Sequence, residues 1–460
     1  MPNRLIKGVS SRLAAGALAA ALAAAVVAQA PTDAERSTAA QDALAFPGAV
    51  GWAARTPGGR GGRIVKVTTL AADGAGSLRA ALALAEPRII VFEVGGVIDL
   101  DRRTLRIESP FVTVAGQTAP SPGITLIKGG IDVATHDVII QHLRVRPGEA
   151  GQAKGSGWDE DALSTQAGAH DVIVDQCTLT WATDENLSAS GPRFTGATPE
   201  EWREGTSHRI TFSRNIIAEG LVDSTHTKFE HSKGSLIHDN VTDILIYGNL
   251  YAHNYERSPL FKGGVHGAIV NNFIYNPGER ALHYNLQVLE WGTVPAQNGR
   301  MTAVGNVLRG GESTPADLPF LMLGGAGDLD YHGRDNVAVD RLGRPLPMFG
   351  LYTTSRARLI EHAEPLDWPA GLEALPAADV ENWVLANAGA RPWDRDPHDV
   401  RILADTAEGR GKIIDSETEV GGYPRVEPAR REFDPALWDL ETMAPSSPAA
   451  LDSSRRAGGT

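Results

Sequence analysis

The sequence predicts an all-β chain: a parallel β-helix, or solenoid, followed by a C-terminal segment that wraps it. Three observations carry this reading. Short apolar runs of four to six residues recur from Ala45 onward, each bounded by Gly, Asn, Asp or Pro. Six runs superimpose: "VIIQHLRV" (138–145), "VIVDQCTLTW" (172–181), "ITFSRNIIAE" (210–219), "ILIYGNLYAH" (244–253), "AIVNNFIYN" (268–276) and "TAVGNVLRG" (302–310). One column of the overlay holds Leu143, Cys177, Asn215, Asn249, Asn272 and Asn306, and the column two residues on holds Val145, Leu179, Ile217, Tyr251, Ile274 and Leu308. The spacing varies from about 23 to about 38 residues while the local pattern stays fixed, as in a solenoid with unequal loops on one side. Each coil buries its apolar edge only against its neighbours, and aligned asparagines can hydrogen-bond from coil to coil inside the turns. A β-sandwich, the rival architecture, would show hairpin turns at short regular spacing, and few are present.

Taken in order, residues 1–28 read as a secretory signal peptide: Arg4, Lys7 and Arg12 precede an Ala/Leu/Val run and small residues. "AQA" at 28–30 looks like a cleavage site, but Pro31 would follow it directly, which favours cleavage after Ala28. The other reading is a membrane anchor, for which the Ala-rich run is short. A cleaved leader places the protein outside the cytoplasm, secreted or periplasmic, with no membrane contact afterwards. Residues 29–44 are a flexible leader, and 45–355 the solenoid, with one helical pattern at 76–87, "GSLRAALALAEP". Beyond Tyr352 the repeat fades; 356–435 is partly helical and packs on the solenoid, and 436–460 is a disordered tail. The lone cysteine, Cys177, excludes an internal disulfide framework and sits in an inward column as buried packing.

The formal charge is −13, and the leader holds three cations and no acids, so its removal leaves −16. That excludes nucleic acid as the natural partner and admits a polyanion only where cations cluster. "NYERSPLFKGG" is one such cluster, with Arg257 and Lys262 flanking Ser-Pro-Leu-Phe; the plain reading is a surface turn. Hard oxygen donors for a metal occur in "GWDEDALS" (Asp159, Glu160, Asp161) and "WATDENLS" (Asp184, Glu185, Asn186), unless these are solvated turns. On a strand Asp184 and Glu185 would face opposite sides, so both reach one ion only if the strand bulges. His226, His231 and His238 crowd one loop, but their spacing is not that of a helical zinc pair. A role in binding or proton transfer is the other reading.

From Ala45 to Arg309 the chain resembles the pectate lyases of polysaccharide lyase family 1. The resemblance rests on "AFPGAVGWAARTPGGRGGRIVKVTTL", "GAGSLRAAL", "RIIVFEVGGVIDL", "FVTVAGQTAPSPGITL" and "HDVIIQHLRVRPG". It implies a right-handed β-helix that binds Ca2+, acts on an acidic polysaccharide (polygalacturonate), and cleaves it by β-elimination to unsaturated oligogalacturonides; a monomer is the separate expectation. In that reaction a base takes the C5 proton beside the carboxylate and the C4–O bond breaks; a divalent cation on the carboxylate lowers the cost. The family's Arg-x-Pro-x-x-Arg falls on Arg257 to Lys262. The resemblance makes Arg257 the base, a role its usual pKa would not suggest; spacing alone would make it a carboxylate clamp. Lys262 departs from the second arginine, keeping the charge and losing bidentate geometry. A calcium-ligating aspartate falls on Asp161, with Asp184 and then Glu185 as further ligands, and Asp175 matches an aspartate of structural role. The family's substrate-binding lysine aligns near Val222, leaving Lys233 and, after it, Lys228 as replacements. Other classes stay open: a β-helical lyase on another uronate polymer, a glycosidase using two of Asp159, Asp161 and Asp184, or a non-catalytic β-helical surface protein.

Overall fold

Each run of the repeat becomes two strands with a corner between them. His136–Gln141, His170–Asp175, His208–Ser213 and Thr242–Tyr247 lie side by side in one sheet; after the corner, Leu143–Arg146, Thr178–Thr180, Ile216–Ala218 and Leu250–Ala252 lie in another. The corner residue is left-handed throughout: φ is 57° at His142, 48° at Gln176, 53° at Arg214 and 64° at Gly248. Only at positions such as Gly248 does the sequence meet that geometry without steric cost.

In a computed structural model, which describes residues 43–231 and 233–451, sheets of 11, 9 and 10 strands, parallel but for one added strand, wind into a right-handed β-helix. The expected signal peptide, and the leader up to residue 42, lie outside the described residues. The predicted inward column is in register: Leu179 pairs with Val145 and Ile217, and Tyr251 with Ile217 and Ile274. These side chains are fully buried or nearly so. The polar column is a hydrogen-bonded ladder, in which Oδ1 of Asn249, Asn272, Asn306 and Asn336 each accepts from the backbone N–H of the asparagine one coil before. Cys177 caps it, its N–H donating to Asn215 Oδ1 at 2.8 Å, with its thiol buried and pushed up to about 12.

The expected helix at 76–87 is shorter, Leu78–Leu82, with Ser77 as its N-cap. The solenoid runs past 355: Leu359–Glu361 still pairs with Leu329–Arg334. The chain then turns back. Helices Ala377–Asn387 and Pro397–Ala407 bury Val380, Val384 and Ile402 against Ile216, Leu250, Phe273 and Tyr275. Arg144 and Arg146, wholly buried, pair with Asp399 at 2.9 Å each, and Arg146 with Asp396 at 2.5 Å. Ala429–Arg430 adds an antiparallel strand to Val94–Asp99, in the solenoid's first coils. Residues 436–451 differ from the loose tail expected: Trp438, Met443 and Ala450 pack on Ile89, Val91 and Ala115. Those apolar residues supply a face too irregular in spacing to read as an element. Among the described residues no helix is long and apolar enough to cross a membrane.

Candidate active site

The nine-stranded sheet carries the site, at the edge where the chain enters its strands. Asp161 precedes Leu163–Thr165, Glu185 precedes Leu187–Ala189, Lys233 precedes Leu236–Ile237 and Arg257 precedes Leu260–Lys262. Backbone hydrogen bonds stack these entries coil on coil: Ala162 N donates to Glu185 O at 3.1 Å, Asn186 N to Lys233 O at 2.9 Å and Ser235 N to Arg257 O at 2.6 Å. Strand pairing thus converges side chains that lie far apart in sequence.

Asp161, Asp184 and Glu185 each place a carboxylate oxygen within 4.8 Å of the other two. Asp184 lies on a bend and Glu185 in a single parallel bridge to Lys233, both ahead of the strand and not within it. The alternation expected to turn them apart therefore does not apply, and no bulge is needed. Glu185 N donates to Asp161 Oδ1 at 2.8 Å. Burial, opposed by Arg257 and reinforced by Asp184, pushes the Glu185 carboxyl up to about 7. Burial, then Glu185 and Asp184, raise Asp161 well above the usual carboxylate range. Three carboxylates crowded together, with Asp161 and Glu185 held back from ionising, suit a hard divalent cation. Glu160 turns to the preceding coil, accepting from Thr104 Oγ1 at 2.6 Å and Gly130 N at 2.8 Å, and Asp159 is exposed.

Arg257 ion-pairs with Glu185 and lies 3.9 Å from Glu256. Burial works against its charge, but Glu185, Glu256 and Asp184 outweigh it and hold the guanidinium above its ordinary value. Glu256 also takes Lys233 at 3.1 Å and Arg280 at 2.5 Å. Burial disfavours the Glu256 charge, yet His283, Lys233, Arg257 and Arg280 keep it well below the usual range. Lys233 is buried, with Nζ 4.6 Å from the Tyr255 ring, and burial lowers its pKa. Lys228 is exposed, its backbone N–H donating to His226 Nδ1 at 2.9 Å. Of the two candidate lysines, the fold brings Lys233 to the Arg257 cluster.

Lys262 belongs to a second charged cluster. Its Nζ is 3.4 Å from Asp239 and ion-pairs with Glu290, and Arg193 pairs with the same two acids at 2.9 and 2.5 Å. Sequence reasoning missed Glu256, although it adjoins Arg257; Arg193, Asp239, Arg280 and Glu290 come from separate coils and carry no local signal. Asp175 is structural, accepting from Gln141 Nε2, Ser213 Oγ and Arg214 Nε at 2.8 to 3.0 Å.

A protein of Neosartorya fischeri named "Probable pectate lyase C" is 30% identical over 383 residues, covering 82% of this chain and 81% of its own. The chain belongs to the pectate lyase family. Pectate lyases are polysaccharide lyases. The namesake from Aspergillus terreus is 29% identical over 425 residues, 89% of this chain and 90% of its own. That from Emericella nidulans is 37% identical over 244 residues, a match spanning half of that relative's length. No family model matches the chain. A solved structure, "Structure of the thermostable pectate lyase PL 47", aligns over 74% of this chain and 97% of its own at 16% identity, with a TM-score of 0.49.

Proposed function

We propose that this pectate lyase homologue is a calcium-dependent enzyme that cleaves polygalacturonate by β-elimination, giving unsaturated oligogalacturonides. The observation that carries the reading is Arg257 set against Asp161, Asp184 and Glu185 on stacked coil entries. The acid trio supplies oxygen donors of the kind calcium takes. Calcium held there would polarise the substrate carboxylate and make the C5 proton easier to remove. Arg257 takes that proton. As it stands, Glu185 supports the guanidinium's charge, which opposes a base; engaging Glu185 as a ligand withdraws that support. Lys233 and Lys262 hold substrate carboxylates, in exchange for Glu256 and for Asp239 with Glu290. Lys228 stays a peripheral contact. Once released from those acids, Lys233 and Lys262 would give a chain of charge −13 local cations for a polyanion. A glycosidase would leave Arg257 and its partners without a task. The enzyme works as a secreted or periplasmic monomer.

The test is absorbance of unsaturated product from polygalacturonate, with chelator and after calcium is restored. Activity should vanish and return. Full activity in thoroughly demetallated protein, or no unsaturated product under any condition, would overturn the proposal.

A further inference from the structure

Beside the acid trio lies a second set of metal-ligating atoms. His226, His231 and Asp184 each offer one atom within 4.8 Å of the other two. Both histidines are buried, at 3% and 7% exposure, and their ring centroids are 4.0 Å apart. His226 Nδ1 accepts the Lys228 backbone N–H, so Nε2 is its metal-binding nitrogen. His231 Nε2 stands 2.7 Å from Asp184 Oδ1, yet that oxygen is buried and accepts no well-directed hydrogen bond. The loop is braced without a metal: Phe229 N donates to His226 O at 3.1 Å, His231 N to Val222 O at 3.0 Å, and Asp223 bridges Glu230. Two imidazoles and a carboxylate form a three-ligand set with an open position, the donor chemistry of zinc and not of calcium.

We propose that His226, His231 and Asp184 bind a zinc-type divalent cation. Asp184 belongs to both sets, so a zinc-type ion draws its carboxylate toward the imidazoles and weakens calcium binding at the trio. The site stands on its own geometry, whatever polymer the protein acts on.

The test uses the full chain freed of metal, titrated with Co2+ as a visible probe and with Zn2+ by calorimetry. The expected result is a Co2+ absorption band that Zn2+ abolishes. His226→Gln and His231→Gln should each weaken Zn2+ binding by about 10-fold or more, while Asp161→Asn keeps it. Calcium affinity should fall on zinc loading. Circular dichroism and a calcium titration check that the glutamine variants are folded. No Co2+ band in the native protein, or unchanged Zn2+ binding in the double histidine variant, overturns the site. Calcium affinity indifferent to zinc overturns the sharing of Asp184. Zn2+ binding kept in a protein that never binds calcium counts against the calcium reading and supports this one.

Discussion

Glu185 can serve Arg257 or a cation, and the chemistry at Arg257 depends on which. Arg257→Lys keeps a charge beside Glu185 but shortens the side chain and loses the planar fork. Turnover should drop by about 100-fold or more, while calcium binds at least as tightly as before and the circular dichroism spectrum is unchanged. Steady-state kinetics and calorimetry measure this; near-normal turnover would leave Arg257 a binding residue. Asp161 and Asp159 make a second contrast. Asp161 meets Glu185 and Asp184, and Asp159 is exposed. Asp161→Asn should therefore weaken calcium binding by about 10-fold or more, and Asp159→Asn should leave it nearly unaltered, as read by calorimetry. Both acids were legible as oxygen donors in "DED". Which one turns inward was not, because that depends on the coil stacked against it.

Among the elements, the asparagine ladder has a graded structure. Asn249 is buried and bonds to both neighbours: its N–H and side-chain amide donate to Asn272 Oδ1, and its Oδ1 accepts from Asn215. Asn249→Ala strands several of these groups, at about 1–3 kcal/mol each. Asn336, half-buried, serves one ladder neighbour. Chemical denaturation should show Asn249→Ala costing about 3 kcal/mol and Asn336→Ala clearly less; equal costs would refute the coil-to-coil account. The ladder was readable because one asparagine per coil leaves a column in the sequence. The return segment was not, because its path is set by unique long-range pairs such as Arg144 with Asp399, which leave no period. Asp399→Ala leaves two buried arginines short of a partner, and should cost about 3–5 kcal/mol. Limited proteolysis should then cut within 362–451 while the solenoid resists.

For the whole molecule, buried and half-buried histidines set the response to acid. Burial is the first cause in each case, lowering His238 and His398 to about 4 and His266 and His283 to about 3. Unfolded, they would take protons near 6.5. The unfolded state thus binds more protons between those values, so stability is full above about 6.5 and declines as the pH falls toward 4. Thermal melts in that window should show Tm falling with pH, and His283→Gln should flatten part of the fall. The solenoid's strands were legible, but its start was not, since the first strand is Arg63–Val67 and not at the expected Ala45, nor was its end, since Leu359–Glu361 is too short to carry a pattern alone. The strand Ala429–Arg430, paired with Val94–Asp99, has a consequence for biogenesis. A growing chain exposes the free side of Val94–Asp99 until more than three hundred further residues have been made. Any product truncated before 429 keeps that side open, a template for another chain to add a strand, so premature termination should give aggregates and not shorter, soluble solenoids.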